Sequence, residues 1–414
     1  MIRWIWNARL CATVQILYAE CFSKVNGPVV MSKKGRVLVA MSGGVDSSVT
    51  AVLLAERGYE VVGITMKTWD YSTSGGRDGK EIGCCSLESM NDARAVATKY
   101  GFTHFIVDIR EEFGDWVIER FTNEYLSGRT PNPCVLCNTH IKWAALLERA
   151  DDLDCEYIAT GHYANVRHDE ERDRYLLSRG HDHNKDQSYA LWGLPQEHLA
   201  RSIFPLGEYE KPEIRQMAED FGLDVADKPD SYEICFIPDN DYPRFLKDQV
   251  DGLEEEVDGG DFVLSDGTVV GEHDGYPFYT IGQRRGLGLA LGERVYVTDI
   301  DPETNTITVG PKEELMEQTL TAHEINLVKE PTIDEERPAW GTVRYNDDGA
   351  GCLVWQPDDD TLKVAFAEPR RAITPGQSVV LYDGDDVLGG GWIHEVGAAD
   401  ADTDAAESAM PAHA

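Results

Sequence analysis

Basic residues are scarce in this sequence. Its 414 residues include 38 Lys and Arg against 74 Asp and Glu, which gives a formal net charge of −36. A chain this acidic is not a broadly basic nucleic-acid binder, although a local basic patch is compatible with it. Charge repulsion of this size is costly unless ions screen it, so the composition predicts a halophile protein that works in concentrated salt.

Long apolar runs are also missing. No run of about 18 apolar residues occurs, which argues against a membrane-spanning helix. The nine cysteines are too unevenly spaced for a disulfide scaffold, and they predict a reducing cytoplasm with a few working thiols. The hydrophobic share of 42% is enough for real cores, and the length predicts two or three domains.

The two ends differ in composition from the rest. Residues 1–31 form an atypical extension with few acidic residues. The sequence that begins at Met31 is typical of the N-terminus of a natural protein. We therefore expect that translation begins at Met31, with a genuine amphipathic extension as the alternative. Residues 398–414 are rich in Ala, Asp, Thr and Ser, which predicts a disordered acidic tail.

Between the ends, two structural classes follow each other. Short apolar runs at 37–41 and 61–66 alternate with helical patterns, which predicts an α/β domain with a doubly wound parallel sheet over residues 32–245. After about residue 245, short alternating stretches are separated by Gly, Asp and Asn turns. These predict a small central β-containing domain, residues 246–317, and a C-terminal β-barrel, residues 318–397.

The clearest motif is SGGVDSS at residues 42–48, between a strand and a helix. Two glycines let the backbone approach a phosphate, and the N-terminus of the following helix holds an anion. The motif lacks the Lys of a Walker A loop and the spacing of a dinucleotide-binding GxGxxG motif. A Gly-Gly turn alone could be a tight connection, but the whole motif after a strand predicts a nucleotide-phosphate loop.

Three cysteines form a second constellation. Cys134 and Cys137 make a CxxC in a proline-stiffened loop ahead of a helix, which Asn138 is predicted to cap, and Cys235 lies farther along the chain. A thiol near a helix N-terminus is more nucleophilic because its pKa is lowered. A zinc site, a redox dithiol, a sulfur-transfer site and three unrelated buried cysteines all stay open, although no second CxxC supports zinc.

Seven motifs occur in order: SGGVDSS, TPNPCVLCNTHIKW, ATGHYA, KDQSYAL, ICFI, YTIGQRRGLGL and EPRRAITPGQ. Together they resemble the tRNA-specific 2-thiouridylase family, which thiolates the wobble uridine (U34) of tRNA. This family belongs to the ATP pyrophosphatases that share a pyrophosphate loop, or PP-loop. The resemblance runs from about residue 36 to about residue 396.

The resemblance implies a reaction. ATP, with Mg²⁺, would adenylate O2 of the target uridine, and Cys235 would carry the incoming sulfur as a persulfide. Cys137 would be the nucleophile that releases this sulfur, which leaves a Cys137–Cys235 disulfide to be reduced. Asp46 would orient the PP-loop or help to hold magnesium. The implied sulfur donor is a cysteine desulfurase, a sulfur carrier or inorganic sulfide.

The resemblance also implies binding residues. Those for ATP would be Ala40, Met41, Ser42, Gly43, Gly44, Val45, Asp46, Ser47, Met66 and Gly161. Those for the target base would be Asn132, Pro133 and Cys134. Those for tRNA would be Lys185, Asp186, Gln187, Arg344 and Tyr345. Lys185 and Arg344 suit phosphates, and Tyr345 suits stacking on a base.

One residue departs from the family pattern. The well-known form of the family has Asp where this chain has Cys134. Cys134, Cys137 and Cys235 could then hold three corners of a [4Fe–4S] cluster, whose open iron would bind inorganic sulfide. This departure favours the cluster, and the persulfide route stays open beside it.

Two other functions are weighed against thiolation. Another adenylating enzyme of the same fold, of the tRNA lysidine or GMP synthetase type, would not need Cys137 and Cys235. A non-catalytic tRNA-binding metalloprotein would not need the phosphate loop. The intact SGGVDSS and the two thiols together favour ATP-dependent thiolation of tRNA.

Overall fold

The structure is a computed structural model that describes residues 34–69, 86–229 and 234–397. The predicted start at Met31 and the predicted acidic tail lie outside these residues. None of the helices in the described ranges combines the length and the apolar composition that a membrane span needs.

A five-stranded parallel sheet forms the centre of the first domain. Its strands in spatial order are β3, β2, β1, β4 and β7, and every neighbouring pair is parallel. The strands are β1 (Arg36–Ala40), β2 (Glu60–Lys67), β3 (Thr103–Asp108), β4 (Tyr157–Ala159) and β7 (Ser202–Ile203). Chain order reverses between β1 and β4, and in such sheets ligands bind at the carboxyl ends of the strands beside that point.

Helices cover both faces of this sheet, as the sequence pattern predicted. The α-helices are α1 (Val45–Glu56), α2 (Leu87–Tyr100), α3 (Arg110–Phe113), α4 (Glu119–Leu126), α5 (Pro133–Leu136), α6 (Trp143–Asp152), α7 (Gln196–Ala200), α8 (Lys211–Asp220), α9 (Tyr242–Gln249) and α10 (Leu253–Val257). Val49 of α1 and Ile214 of α8 are buried in the core on one face. Trp143 and Leu146 of α6 are buried in the core on the other.

The CxxC lies at a helical junction. Cys134 is in the short helix α5, and Cys137 begins a π-helical segment, Cys137–Lys142, that leads into α6. Segments of this kind are frequent at functional sites. The predicted cap was wrong: Asn132 accepts the Val135 N–H at 3.4 Å and caps α5. Asn138 is buried instead, and its amide donates to the Ala190 carbonyl at 3.0 Å.

The central region is a small mixed sheet. Its strands in spatial order are β10 (Tyr296–Asp301), β11 (Thr306–Gly310), β8 (Gly260–Val263) and β9 (Val269–His273). Phe262, Val297 and Ile307 have no exposed surface and form its core. The apolar positions of the alternating pattern are therefore the ones that the sheet buries.

The last region is a closed antiparallel barrel. Its strands in spatial order are β12 (Met316–Leu327), β15 (Thr361–Arg371), β14 (Ala350–Asp358), β13 (Arg337–Thr342), β16 (Ser378–Asp383) and β17 (Asp386–Val396). Pairing of β12 with β17 closes the barrel. Bulges in β12 interrupt its pairing, and closure of small barrels commonly needs such bends.

A hairpin of the first domain joins the barrel. Strands β5 (Ala164–Asp169) and β6 (Arg174–Arg179) pair with each other, and β6 adds to the edge of β17. Trp192 of the first domain meets Trp392 of the barrel edge-on, with ring centroids 6.0 Å apart. This hairpin was not predicted from the sequence. The catalytic domain and the barrel share one hydrophobic core where they meet.

Candidate active site

The PP-loop connects the end of β1 to the start of α1 through a tight turn. Gly43 has φ +71°, and a Cβ there would lie 2.0 Å from the Ser89 carbonyl oxygen, so only glycine fits. The hydroxyls of Ser47 and Ser48 donate to the Gly44 carbonyl at 3.2 and 2.8 Å. The Ser42 N–H in turn donates to the Ser47 hydroxyl at 3.1 Å. The loop is therefore held in one conformation by its own side chains.

Asp46 is held by residues from distant segments. Both of its carboxylate oxygens accept from the Lys211 ammonium, at 2.8 and 2.7 Å, and Oδ1 also accepts from the Tyr163 hydroxyl at 2.7 Å. Lys211 begins α8 and has a side chain only 9% exposed. These contacts fix the start of α1, and the role of Asp46 in orienting the loop or holding magnesium stays a prediction. Neither Lys211 nor Tyr163 was singled out from the sequence.

Gly161 brings β4 close to the loop. A Cβ on Gly161 would lie 3.0 Å from the backbone of both Asp46 and Ser47. The chain that leaves β4 therefore runs directly past the first turn of α1. This places ATGHYA beside SGGVDSS at the point where the sheet reverses its order.

One open cleft of about 270 Å³ runs along these strand ends. Its lining includes these residues that the sequence predicted: Ala40, Met41, Ser42, Asp46, Ser47, Met66, Gly161, Cys137, Cys235 and Gln187. Its lining also includes these residues that were not predicted: Ile64, Thr65, Thr68, Phe113, Lys142, Thr160 and His162. The predicted loop residues Gly43, Gly44 and Val45 shape the turn, and the structure does not place them in the lining.

Two of the unpredicted residues add polar chemistry to the cleft. The Lys142 ammonium donates to Asn138 at 2.7 Å, and His162 Nδ1 lies 2.7 Å from the Thr160 hydroxyl. Burial, and secondarily the nearby Lys142 charge, lower the pKa of His162 well below its ordinary value. His162 is thus a neutral imidazole at physiological pH. Both residues lie inside quoted motifs, yet only the tertiary arrangement shows that they meet.

The two thiols assigned to sulfur transfer reach the same cleft. Cys137 enters from the π-helical segment and is half-buried, whereas Cys235 enters from the segment after α8 and is exposed. They are 98 residues apart in sequence, 235 minus 137. A shared cleft with the PP-loop is the arrangement that a reaction between thiol and activated base requires.

Cys134 has a different environment. It is exposed and does not line the cleft. Among the described residues, no group of three His, Cys, Asp or Glu side chains is arranged to hold a metal ion. The thiols of Cys134, Cys137 and Cys235 are all described, so their arrangement in this structure does not fit a [4Fe–4S] cluster.

Three of the residues predicted to contact tRNA lie near one another. Tyr345 is 49% exposed, and the charges of Asp186, Lys185 and Cys134 act on its hydroxyl. Arg344, the neighbour of Tyr345 in sequence, is also partly exposed, with one guanidinium N–H bonded to the Arg371 carbonyl at 3.0 Å.

Asp186 and Gln187 are engaged within the protein. Asp186 accepts from the Gly180 N–H at 3.0 Å and from the Ser188 hydroxyl at 2.8 Å. Gln187 and Tyr163 exchange two hydrogen bonds, at 3.0 and 2.8 Å. Their contacts shape the loop that carries Lys185, and a direct contact with tRNA stays a prediction.

The barrel contacts the loop that carries the residues predicted to bind the target base. The Gln377 amide donates to the Thr130 and Pro131 carbonyls at 3.0 and 2.9 Å. The Thr130 N–H donates to the Pro375 carbonyl at 3.0 Å. Since Asn132 and Pro133 follow at once, the barrel fixes the base of the loop that carries them.

Comparison with known proteins now gives the family. Residues 35–239 match a family model described as the tRNA methyl transferase HUP domain. Residues 245–311 match its PRC-barrel domain, and residues 317–393 match an aminomethyltransferase beta-barrel domain.

Curated relatives match over nearly their whole length. A tRNA-specific 2-thiouridylase MnmA of Salinibacter ruber is 87% identical over 385 residues, which is 93% of this chain and 100% of the relative. Proteins of the same name from Amoebophilus asiaticus and Cytophaga hutchinsonii are 62% and 58% identical, and cover 87% and 88% of this chain. These alignments take in 96% and 98% of those relatives.

The chain belongs to the tRNA-specific 2-thiouridylase family. The predicted fold, with its PP-loop domain, middle sheet and C-terminal barrel, is confirmed with it. A PP-loop family of this kind uses ATP. A solved 4-thiouridine synthetase–RNA complex with bound ATP matches with a TM-score of 0.34 at 16% identity, over 53% of this chain and 51% of that one.

Proposed function

We propose that this protein is an ATP-dependent tRNA-uridine 2-sulfurtransferase that thiolates the wobble uridine of tRNA. One observation carries the proposal: the PP-loop, Cys137 and Cys235 line a single cleft. Family membership supports the same activity. Neither a lysidine or GMP synthetase activity nor a non-catalytic binding role gains support from these relatives.

Activation of the base is the first step. O2 of the uridine attacks the α-phosphorus of ATP, the α–β bond breaks, and pyrophosphate leaves from the PP-loop. The N–H groups at the start of α1 and the hydroxyl of Ser42 are donors for this anion. We assign Met66 and Gly161 to the adenosine end of the cleft, because they lie at the ends of β2 and β4.

Magnesium fits this site as a partner of the ATP phosphates. The Asp46 carboxylate is already paired with Lys211, and among the described residues no carboxylate group is arranged to hold a metal ion by itself. Mg²⁺ commonly binds through substrate phosphates with few protein ligands. We therefore assign Asp46 to positioning of the loop, with ATP entering as its magnesium complex.

For sulfur transfer we propose the two-thiol route. The persulfide of Cys235 is attacked by the Cys137 thiolate, which forms the Cys137–Cys235 disulfide and releases hydrosulfide. Hydrosulfide adds at C2 of the adenylated uridine, and AMP leaves. A thiol reductant then returns both cysteines to the reduced state for the next cycle.

Target and partner contacts complete the proposal. Asn132, Pro133 and Cys134 face the base, and Lys185, Arg344 and Tyr345 contact the surrounding tRNA. We assign the three domains to residues 32–245, 246–317 and 318–397. We also propose that the protein works in the cytoplasm and that its sulfur donor is either another protein or inorganic sulfide.

The test uses the whole protein and unthiolated tRNA. Wild type should release AMP and pyrophosphate, whereas Asp46→Ala should release neither. Asp151→Ala is the matched control, because Asp151 forms an exposed surface pair with Arg201 at 2.8 Å. Release of ADP and phosphate by wild type would contradict the assignment.

The thiols are tested separately. Cys137→Ser and Cys235→Ser should abolish thiolation, measured as the mass of the tRNA nucleosides, while pyrophosphate release persists because the PP-loop is intact. Cys352→Ala, at a thiol buried in the barrel, should leave both readouts unchanged. Full thiolation by Cys235→Ser would rule out the persulfide route.

A further inference from the structure

A second lysine lies against the PP-loop. The Lys228 ammonium donates to the Gly43 carbonyl at 3.2 Å, to the Ser89 hydroxyl at 3.1 Å and to the Asp92 carboxylate at 2.8 Å. Gly43 belongs to SGGVDSS, whereas Ser89 and Asp92 lie in the first turns of α2. Lys228 therefore joins the phosphate loop to the neighbouring helix, 185 residues away in sequence from Gly43.

The backbone of this lysine is itself fixed. The Arg215 guanidinium, on α8, donates to the Ala226 carbonyl at 2.7 Å and to the Lys228 carbonyl at 3.2 Å. The Lys228 N–H donates to the Val225 carbonyl at 3.1 Å. The same helix begins with Lys211, which holds Asp46. One helix thus anchors both cations that contact the loop.

The two lysines have different surroundings. Lys211 gives hydrogen bonds to both oxygens of Asp46, and its side chain is 9% exposed. Lys228 shares its charge between one carboxylate and two neutral acceptors, and its side chain is 29% exposed. Of these two, Lys228 is the more exposed, and its positive charge lies beside the loop.

The contact with Gly43 also orients a peptide group. In a trans peptide the carbonyl of one residue and the N–H of the next point in opposite directions. Because Lys228 holds the Gly43 carbonyl, the Gly44 N–H points away from Lys228. The Gly44 carbonyl is likewise held, by the Ser47 and Ser48 hydroxyls. The contact with Lys228 therefore fixes the orientation of the Gly43–Gly44 peptide, and of the Gly44 N–H with it.

We propose that Lys228 is a positioning residue for the pyrophosphate that leaves ATP. It fixes the Gly43–Gly44 peptide in the orientation that binds this anion, and it adds a positive charge beside the loop. This inference rests on the proposed function, since it assumes that pyrophosphate leaves from this loop. Binding of tRNA and the chemistry of the thiols do not depend on Lys228.

The test compares Lys228→Met with wild type in the full-length protein. Methionine keeps most of the side-chain stem and removes the ammonium. We expect the dissociation constant for inorganic pyrophosphate and the KM for ATP to rise about tenfold, the effect of losing one charge-assisted hydrogen bond. The KM for tRNA should stay within about twofold, a difference that general unfolding would not give.

Lys99→Met is the matched control. Lys99 lies on α2, the helix that Lys228 contacts. Its ammonium donates to two backbone carbonyls, those of Phe221 and Gly222, at 3.0 and 2.6 Å. It touches neither the loop nor the cleft lining. We expect Lys99→Met to leave pyrophosphate binding and both KM values unchanged.

Should Lys228→Met fail to fold, Lys228→Gln gives the same test. It keeps a polar side chain but removes the positive charge, and it should weaken pyrophosphate binding in the same direction. Unchanged pyrophosphate affinity in a folded Lys228→Met or Lys228→Gln protein would overturn the inference. Wild-type protein that releases no pyrophosphate from ATP would instead contradict the proposed function, so the two failures are distinguishable.

Discussion

Single residues in this structure separate two mechanisms that the sequence left open. Cys137 and Cys235 line the cleft of the PP-loop, whereas Cys134 is exposed outside it. A cluster needs three thiolates at one point, and among the described residues no such metal-binding group occurs. The sequence had favoured the cluster because Cys134 replaces Asp, and the geometry supports the two-thiol route instead.

The first prediction therefore concerns Cys134. Cys134→Asp should retain thiolation within about threefold of wild type, because in the proposed two-thiol route this exposed side chain neither carries sulfur nor holds metal. The measurement is the initial rate of 2-thiouridine formation, with anaerobic iron and sulfide analysis of the same preparations. Stoichiometric iron in wild type, lost together with activity in the variant, would restore the cluster.

At the scale of elements, the barrel supports the loop that carries the target-base residues. Gly376 has φ +89°, and a Cβ there would lie 2.7 Å from the Thr130 carbonyl oxygen and 2.9 Å from a carboxylate oxygen of Glu124. Gln377 next to it binds two carbonyls of the same loop. The close contact of barrel and catalytic domain therefore requires a residue without a side chain at this point.

The second prediction follows from that contact. Gly376→Ala should push the loop at Thr130 outward and lower kcat/KM for tRNA thiolation on the order of tenfold, since small displacements at a reacting centre are costly. ATP binding should be unaffected. Steady-state kinetics with varied tRNA and a separate ATP titration measure the two effects.

Gly384→Ala is the control for backbone strain. Gly384 also has a positive φ, +64°, and lies in the barrel, but a Cβ there meets no atom within 4 Å. Both variants suffer a left-handed backbone penalty of about 1–2 kcal/mol. If Gly384→Ala lowered thiolation as much as Gly376→Ala, strain rather than loop displacement would explain the loss.

At the scale of the whole molecule, one carboxylate fastens the barrel to the hairpin. Asp386 accepts from Ser178 at 2.7 Å and lies 2.8 Å from Arg167 and 3.0 Å from Lys329. Burial alone would raise the pKa of Asp386, but these hydrogen bonds outweigh it and lower the pKa to about 2. The charged carboxylate is therefore stabilised in the folded state.

The third prediction is a pH dependence. A lowered pKa stabilises the fold above the unfolded value near 4, and this contribution is lost as pH falls toward about 2. Asp386→Asn should lower the free energy of unfolding by about 2 kcal/mol at neutral pH. Its stability should also vary less between about pH 4 and 2 than that of wild type. Equal pH dependence of the two proteins in denaturant titrations would contradict this role.

Net charge is the other property of the whole molecule. With a net charge of −36, self-repulsion opposes the compact state and repels tRNA at long range. Salt screens both effects, although it also weakens contacts between basic residues and phosphates.

The fourth prediction is that the protein unfolds or loses activity in dilute buffer. Measurable tRNA binding should persist in molar KCl. Thermal unfolding and tRNA binding across a KCl series measure the two responses. A stable, active enzyme in dilute buffer would show that the acidic surface serves another purpose.

The sequence by itself determined the local features. SGGVDSS, the alternation of strands and helices, and the turn-separated strands beyond residue 245 each depend on neighbours within a short segment. Local pattern is enough there because a glycine turn, an apolar strand and a helix N-terminus are specified by adjacent residues. The ordered motifs likewise gave the family.

Only the tertiary structure decided which distant residues meet. Asp46 and Lys211 are 165 positions apart, and Tyr163 reaches the same carboxylate from β4's side of the cleft. The hairpin β5–β6 was missed because its pairing partner, β17, lies about two hundred residues later, beyond any local pattern. Cys134 shared a motif with Cys137, yet α5 and the π-helical segment turn only Cys137 into the cleft. Sequence spacing identifies the reactive side chains, and packing of the surrounding helices decides which of them line the cleft.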